Sequence, residues 1–561
     1  MSTTPAARLE TYNFADIWEA VSDTVAEREA LICGSRRLTY AQLEERANRL
    51  ASVLSSAGIG RDDRVGCFLQ NGTEYVETML AAFKLRAIPI NINFRYNAAE
   101  LAYLVNDAAL SALIFDTDAT DTVEGALESF NRRPVLISVD DAYVDHSMTA
   151  PVESDPSESR HALADVVNYE TALIEAQPSR VSRQRSSSDS YIIYTGGTTG
   201  MPKGVVWDQE HAFFACIGGG DPLRMNGPVS SPDEVLERVP DFVVTQLPIA
   251  PLMHAAAQWT VLSWLYAGGR IVLTRGNLNP ATIWSSVVDE AVNVLVIVGD
   301  AVARPLMDQW DAAGGYDVAS LYALGSGGAP LTQTQRARLA RAMPQVLISD
   351  GYGSSETGAQ GTSRTSGDDA VNAPDMRFET NDETAVFGDD LSRVQPGSGD
   401  IGRVALSGHI PRRYWNDPIK TAETMVEIDG VTWMLTGDMA TVDTDGAVRL
   451  MGRGSSVINS GGEKVFAEEV EAALKSHADV YDALVVGIPD ERFGQGVAAI
   501  VAWSGDGEPD GDTIVAHVKT VIAPYKAPRS VVFVSEIKRS PAGKPDYTWA
   551  KAVATGAPNR D

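Results

Sequence analysis

The chain has little cysteine, a deficit of positive charge and no long apolar run. Its three cysteines, Cys33, Cys67 and Cys216, lack metal-ligand spacing, and an odd number cannot all pair within one chain. This argues against a disulfide framework and for three buried thiols in a reducing cytoplasm. Lysine and arginine number 46 against 75 aspartates and glutamates, a formal net charge of −29. Such a surface repels nucleic acid and anionic membranes, so neither is an expected partner. Any anionic ligand would need a local cation, which makes single lysines and arginines in loops informative. The N-terminus MSTTPAARLETYNF has no basic-then-apolar signal pattern, and no apolar run approaches membrane length. A soluble cytoplasmic protein without stable membrane insertion is expected.

What is present is a globular composition, 44% apolar and 22% charged, in 561 residues. That length exceeds what one core usually serves, so two or more domains are expected. Thr39 and Gln42 form a capping-box pattern before a helical face of Leu43, Ala47, Leu50 and Leu54, which Gly58 can close. A strand at 64–69, a helix at 73–86, a strand at 88–92, a helix at 98–107 and a strand at 112–115 follow. This is α/β alternation, the pattern of a largely parallel sheet covered by helices. The acidic, Ser-rich stretch 141–189 reads as irregular connection. Strands resume at 242–247, 270–274, 293–298 and 321–324. Between them, 218–240 is turn-rich and reads as a lid or, better, a long surface loop. Short strands near 402–406 and 433–435, with a hairpin turn at 443–446, suggest a small β-rich subdomain. The last hundred or so residues read as a separate small α/β domain, with a helix at 467–477 and strands at 483–487, 498–503 and 531–534.

The stretch YIIYTGGTTGMPKG, Tyr191 to Gly204, carries the first chemical signal. A β-branched and aromatic run ends in a loop whose glycines let backbone N–H groups approach an anion, with Thr hydroxyls and Lys203 as further donors. It lacks the Walker pattern, since Lys203 is followed by Gly204 and Val205. Four other clusters stand with it. DGYGSSETG, Asp350 to Gly358, follows an apolar run and is expected in a loop where a strand ends, offering Tyr352 and the Glu356 carboxylate. TGD, Thr436 to Asp438, suits a carboxylate that accepts from sugar hydroxyls. GRGSSVINSGGEKVFAEEVE, Gly452 to Glu471, holds Arg453 and paired glycines. RSPAGKPD, Arg539 to Asp546, presents Lys544 on a Pro/Gly turn.

Any one of these is commonly an ordinary turn or a solvated charge. Together, in this order and spacing, they resemble the adenylate-forming superfamily of acyl-CoA synthetases, peptide-synthetase adenylation domains and firefly luciferase. The resemblance covers nearly the whole chain. It implies an α/β multidomain fold: a large N-terminal domain of two βαβ-type sheets plus a distorted β-barrel, and a small mobile C-terminal α/β domain. The implied boundaries are 1–453 for the adenylation domain, 454–456 for a hinge and 457–561 for the C-terminal domain.

The resemblance also implies roles. Thr195, Gly196, Gly197, Thr198, Thr199, Gly200 and Lys203 would hold the β- and γ-phosphates of ATP, and Glu356 would position Mg²⁺. Gly327, Gly328 and Ala329 with Tyr352 would form the adenine slot, beside Asp350, Gly351, Gly353 and Ser355. Asp438 and Arg453 would hold the ribose. Lys544 would bridge the attacking carboxylate and the α-phosphate. Ser460, Gly461 and Gly462 would approach coenzyme A after a domain rotation. His254, in LPIAPLMHAAAQW, would line the acyl site or else be a satisfied core histidine, and 298–304 would form the opposite wall. Two departures stand out: Gly196 where the family usually has Ser, and Ser455 where the hinge is commonly Asp or Lys.

An AMP-forming acyl-CoA synthetase follows as the expected function. VVWDQE, VGDAVARPL and INSGGEKVFAEEVE look closest to the branch acting on steroid side-chain carboxylates and other bulky acids. A general medium- or long-chain fatty acyl-CoA ligase is the alternative. A non-catalytic nucleotide-binding homologue is disfavoured, because a binder has no need of a transition-state lysine. Dimeric relatives leave a homodimer open.

Overall fold

The structure is a computed structural model, and it describes residues 9–140, 163, 165–195, 201–373, 376–460, 463–490, 494–505, 507–539 and 545–556. Two parallel sheet systems dominate the first part of the chain. One is a five-stranded sheet in the order Ile88–Asn91, Arg64–Phe68, Ala112–Asp116, Val135–Val139, Val166–Asn168, parallel throughout. Between its strands run helices such as Thr73–Lys84, buried along its whole length. Strand runs buried on both faces, such as Ala-Leu-Ile-Phe-Asp at 112–116, are what a parallel sheet with two helical layers requires.

The second system is a fourteen-stranded sheet. Its parallel part contains Glu29–Cys33, Arg270–Leu273, Thr245–Pro248, Val294–Ile297, Ala323–Gly327 and Leu347–Ser354. It then turns antiparallel through Gly358–Thr365, Arg377–Thr380, Val448–Arg453, Val431–Val442, Gly402–Leu406 and Thr384–Phe387. The β-rich region expected as a subdomain is thus hydrogen-bonded into the large sheet, where Gly361 pairs with Thr380. The turn at Asp443 to Gly446 joins its two long strands, Gly446 N donating to Asp443 O at 2.9 Å with φ at 87°.

A third, antiparallel sheet joins Ser190–Thr195, Lys203–Asp208 and Arg413–Tyr414. The segment after Lys203 is therefore a strand, as Val205, Val206 and Trp207 favour, and the Gly/Thr loop connects the two arms of a hairpin. Gly204 is needed there: a Cβ would sit 3.0 Å from the Ile192 and Tyr194 side chains and 3.1 Å from that of Trp415. From Val457 onward a separate five-stranded sheet, Glu463–Phe466, Val457–Ser460, Gly494–Trp503, Val480–Asp490 and Ser530–Val534, carries helix Ala467–Lys475.

The capping box forms as read: Thr39 Oγ1 accepts from Gln42 N, and Gln42 Oε1 accepts from Thr39 N at 2.8 Å. One expectation changes. Within the stretch read as irregular, Val166–Asn168 is a strand and Tyr169–Glu175 a helix, held by Asn168 accepting from Thr171 N and by buried Tyr169. The turn-rich segment after Gly218 is a long surface segment, most of 222–241 being half-buried or exposed, anchored by buried Val229 and Val235 and by Asp233 accepting from Leu9 N at 2.7 Å. No described helix is long and apolar enough to cross a membrane.

Candidate active site

The candidate site lies along the carboxyl ends of the parallel strands, where open α/β sheets leave ligand crevices. Asp350, Gly351, Tyr352 and Gly353 do not occupy a loop after a strand. They lie within Leu347–Ser354, because the backbone beyond Ile348 finds partners in the antiparallel strand Gly358–Thr365. Gly353 permits this tight hairpin, since a Cβ there would fall 1.9 Å from Gly358 O. On the neighbouring parallel strand Gly327 stands in register with Gly351, and Gly328 follows with φ of 81°. Gly328 and Ala329 thereby follow the strand that neighbours the one carrying Tyr352.

Tyr352 is the hub. Its buried hydroxyl donates to Asp438 Oδ2 at 2.9 Å, and burial followed by the Asp438 charge raises its pKa, keeping it a neutral donor. Asp438 lies inside the strand Val431–Val442, in register with Arg453, whose Nε reaches Asp438 Oδ1 at 3.3 Å. Asp438 is 9% exposed while the Arg453 side chain is 48% exposed, so an anchored carboxylate faces outward toward a solvated cation. Glu468 Oε1 accepts from Arg453 N at 3.4 Å, and burial raises the Glu468 pKa.

Glu356 is half-buried in the turn of the same hairpin, and Tyr414 Oη donates to its Oε1 at 3.0 Å. Trp207 Nε1 donates to Ser355 O at 3.0 Å, tying this turn to the strand Lys203–Asp208. Lys203 forms an ion pair with Asp417, whose carboxyl it holds below the usual range. Asn91 binds the five-stranded sheet to the hairpin: its amide donates to Tyr194 O at 2.8 Å and Met253 O at 2.7 Å, and its oxygen accepts from Tyr194 N. Asp350 is buried near Arg336, with Nη2 3.7 Å from its Oδ2.

His254 is half-buried at the N-cap of helix Ala255–Tyr266. A cavity of about 480 Å³ lies nearby, its lining including Ile249, Ala250, Val298 and Val302 together with Arg275 and Arg304. His254 is not among its lining residues. Ser460 is buried at the end of strand Val457–Ser460. Gly196, Gly197, Thr198, Thr199, Gly200, Gly461, Gly462 and Lys544 lie outside the described residues.

Tyr414, Asp417, Trp207 and Asn91 escaped the sequence reading. Each lies far along the chain from its partner, and only the short run Tyr414-Trp415-Asn416 hinted at a packed turn. For a divalent cation, no group of three or more His, Cys, Asp or Glu among the described residues forms a cage. The half-buried Glu356 carboxylate is one oxygen donor of the kind Mg²⁺ takes, with water and substrate phosphates left to fill the rest of its shell.

The profile of the AMP-binding enzyme family matches residues 17–415, and that of its C-terminal domain matches 469–544. The chain belongs to the AMP-binding enzyme family. Among its relatives is a medium/long-chain-fatty-acid–CoA/3-oxocholest-4-en-26-oate–CoA ligase of Mycolicibacterium smegmatis, 42% identical over 97% of both chains. A 3-oxocholest-4-en-26-oate–CoA ligase of Rhodococcus rhodochrous is 41% identical over 96% of this chain and 95% of its own. The medium-chain acyl-CoA ligase Mig of Mycobacterium avium is 40% identical over 96% and 97%. Among solved structures, an anthranilate CoA ligase in complex with anthranoyl-AMP superposes with a TM-score of 0.79 at 22% identity, covering 98% of both chains. The last shares the fold.

Proposed function

We propose that this AMP-binding enzyme is an acyl-CoA synthetase that joins a carboxylic acid to coenzyme A in two steps. The carboxylate attacks the α-phosphate of ATP, giving acyl-adenylate and diphosphate; the thiol of coenzyme A then displaces AMP, giving the thioester. The observation that carries the reading is the Tyr352–Asp438–Arg453 cluster, one strand away from Gly327, in a chain about 40% identical to CoA ligases along its length.

Adenine would lie between Gly327–Ala329 and Tyr352. Asp438 would accept from the ribose hydroxyls, with Arg453 beside it. The loop Thr195–Lys203 would receive the β- and γ-phosphates, Lys203 exchanging Asp417 for phosphate oxygen. Glu356 and substrate phosphates would hold Mg²⁺, which when bound offsets phosphate charge. Lys544 would stabilise charge at the α-phosphate, and Ser460 to Gly462 would serve the thiol step after rotation about residues 454–456, a 3₁₀ turn here. His254 would border the reacting carboxylate.

For the acid, we favour a bulky steroid side-chain carboxylate, on the names of the relatives and on a cavity of about 480 Å³. The similar identity to a medium-chain ligase keeps straight-chain acids as the second reading. ATP–diphosphate exchange across a carboxylate panel, followed by addition of coenzyme A, tests both. Exchange with 3-oxocholestenoate exceeding that with decanoate supports the steroid reading. Ready thioester formation from medium-chain acids with no turnover of cholestenoic or cholanic acids would sink it.

A further inference from the structure

The cavity beside the strand ends is closed on one side by the C-terminal domain, through Tyr481, Asp482, Ser535, Glu536, Ile537 and Arg539. Among the described residues, one helix supplies several of the contacts that hold that domain in place. Helix Gly299–Ala313 presents Asp300, Arg304 and Asp308 at i, i+4 and i+8, a single stripe along three turns. The C-terminal domain meets all three with two side chains. Lys475 Nζ lies 3.8 Å from Asp300 Oδ2, with both groups buried. The Tyr481 ring lies under the Arg304 guanidinium at 4.8 Å, and its hydroxyl donates to Asp308 Oδ2 at 3.2 Å.

The two ends of this stripe reach the parts that matter for the reaction. On one side Asp300 accepts from Thr332 N at 2.8 Å and from Thr332 Oγ1 at 3.0 Å, and its own N donates to Pro330 O. It thereby fixes the segment that follows Gly327–Ala329. On the other side Asp482, next to Tyr481, accepts from Arg539 Nε at 2.7 Å and Nη2 at 2.8 Å. Arg539 pairs as a β-bridge with Pro545, so these two described residues flank the sequence position of Lys544. The cavity roof comes from this flank of the domain and contains none of Val457–Ser460.

We infer that the Asp300–Arg304–Asp308 stripe is a docking track for Lys475 and Tyr481 that selects the domain orientation used for acyl-adenylate formation. Lys475 and Tyr481 are positioning residues; neither touches the reacting atoms. Leaving the track for the thioester step requires breaking all three contacts. Burial of the Lys475 charge makes its partner matter, whereas Tyr481, 38% exposed, tolerates substitution without loss of fold.

The inference rests on the two-step reading above. It is tested by measuring the two half-reactions separately in wild type, Tyr481→Ala, Tyr481→Phe and Lys475→Met. Expected in Lys475→Met is a fall of about 10-fold in ATP–diphosphate exchange, while thioester formation from supplied acyl-adenylate is unchanged or faster; Tyr481→Ala, whose side chain also lines the cavity, should show the same fall in exchange at saturating acid. Tyr481→Phe keeps the ring over Arg304 and should lose about 3-fold. Retained thioester formation also shows that each variant is folded. Equal losses in both half-reactions, or no loss in either, would overturn the track. If the two-step reading itself fails, wild type shows no exchange at all, a distinct result.

Discussion

The Tyr352–Asp438–Arg453 rim and the cavity after the strand ends, proposed to hold nucleotide and acid, are built on opposite plans. At the rim, Tyr352, Asp438 and Arg453 all stand on strands of one continuous sheet, fixed by register before any ligand arrives. The cavity has mixed walls from loops and a helix after the strand ends, with Arg95, Arg275 and Arg304 among Ile249, Val298 and Val302, and a roof supplied by a second domain. A site held by ladder hydrogen bonds is precise and tolerates little change. One assembled from loops and a docked domain can be reshaped and opened. The division matches a chemistry in which the nucleotide is invariant and the acid varies.

The contrast is broken most severely at Lys544, which the reading assigns to the moving part. Lys544→Ala should lower acyl-adenylate formation by about 10²–10³-fold, the usual cost of losing a transition-state contact, while thioester still forms from supplied acyl-adenylate. Near-normal diphosphate release would contradict the assignment. On the fixed part, Asp438→Asn removes the charge from two hydrogen bonds. A hydrogen bond to a charged group contributes about 1.5–3 kcal/mol, so weakening the one that Asp438 would make to the ribose should lower kcat/KM for ATP roughly 10- to 100-fold for every acid alike. A loss confined to one class of acid would break the separation.

The cavity should behave conversely. Ala301 lines it and is half-buried, so Ala301→Trp adds bulk where an acyl group would lie. Turnover of steroid acids should fall by about 10-fold more than that of octanoate, with KM for ATP unchanged. The smallest effect concerns stability of the C-terminal domain. Burial pushes the Glu471 carboxyl from its ordinary 4.5 up to about 8, against the pull of Lys475. The unfolded chain releases that proton near the ordinary value and the folded chain only near 8, so stability falls as pH rises between them. Glu471→Gln should flatten this slope, raising Tm by on the order of 5 °C at pH 8 relative to wild type while leaving it little changed near pH 4. A parallel pH dependence in both proteins would refute it.

The same contrast governs what was legible in the sequence. Local signals sufficed for the β-branched run Tyr191–Tyr194, the Asp443–Gly446 turn beside the rim strands and the capping box at Thr39. Tyr352, Asp438 and Arg453 stood out because their motifs are short and contiguous. The error at Asp350–Gly353 has a local cause: glycines read as loop, whereas the antiparallel strand Gly358–Thr365 supplies partners that make them strand. Val166–Asn168 was hidden because three residues at a sheet edge carry too little pattern. The cavity roof and the Asp300–Lys475 contact were invisible, because residues 175 positions apart leave no local periodicity.

The most direct test of the two-step account is to trap the species between the steps. The enzyme would be incubated with α-labelled ATP and 3-oxocholestenoate without coenzyme A, passed through a desalting column, and then given coenzyme A. The account predicts label retained on the protein as acyl-adenylate, then released as AMP in equal amount to the thioester formed. Label lost as free AMP before coenzyme A is added, or label retained with no thioester on addition, would contradict it.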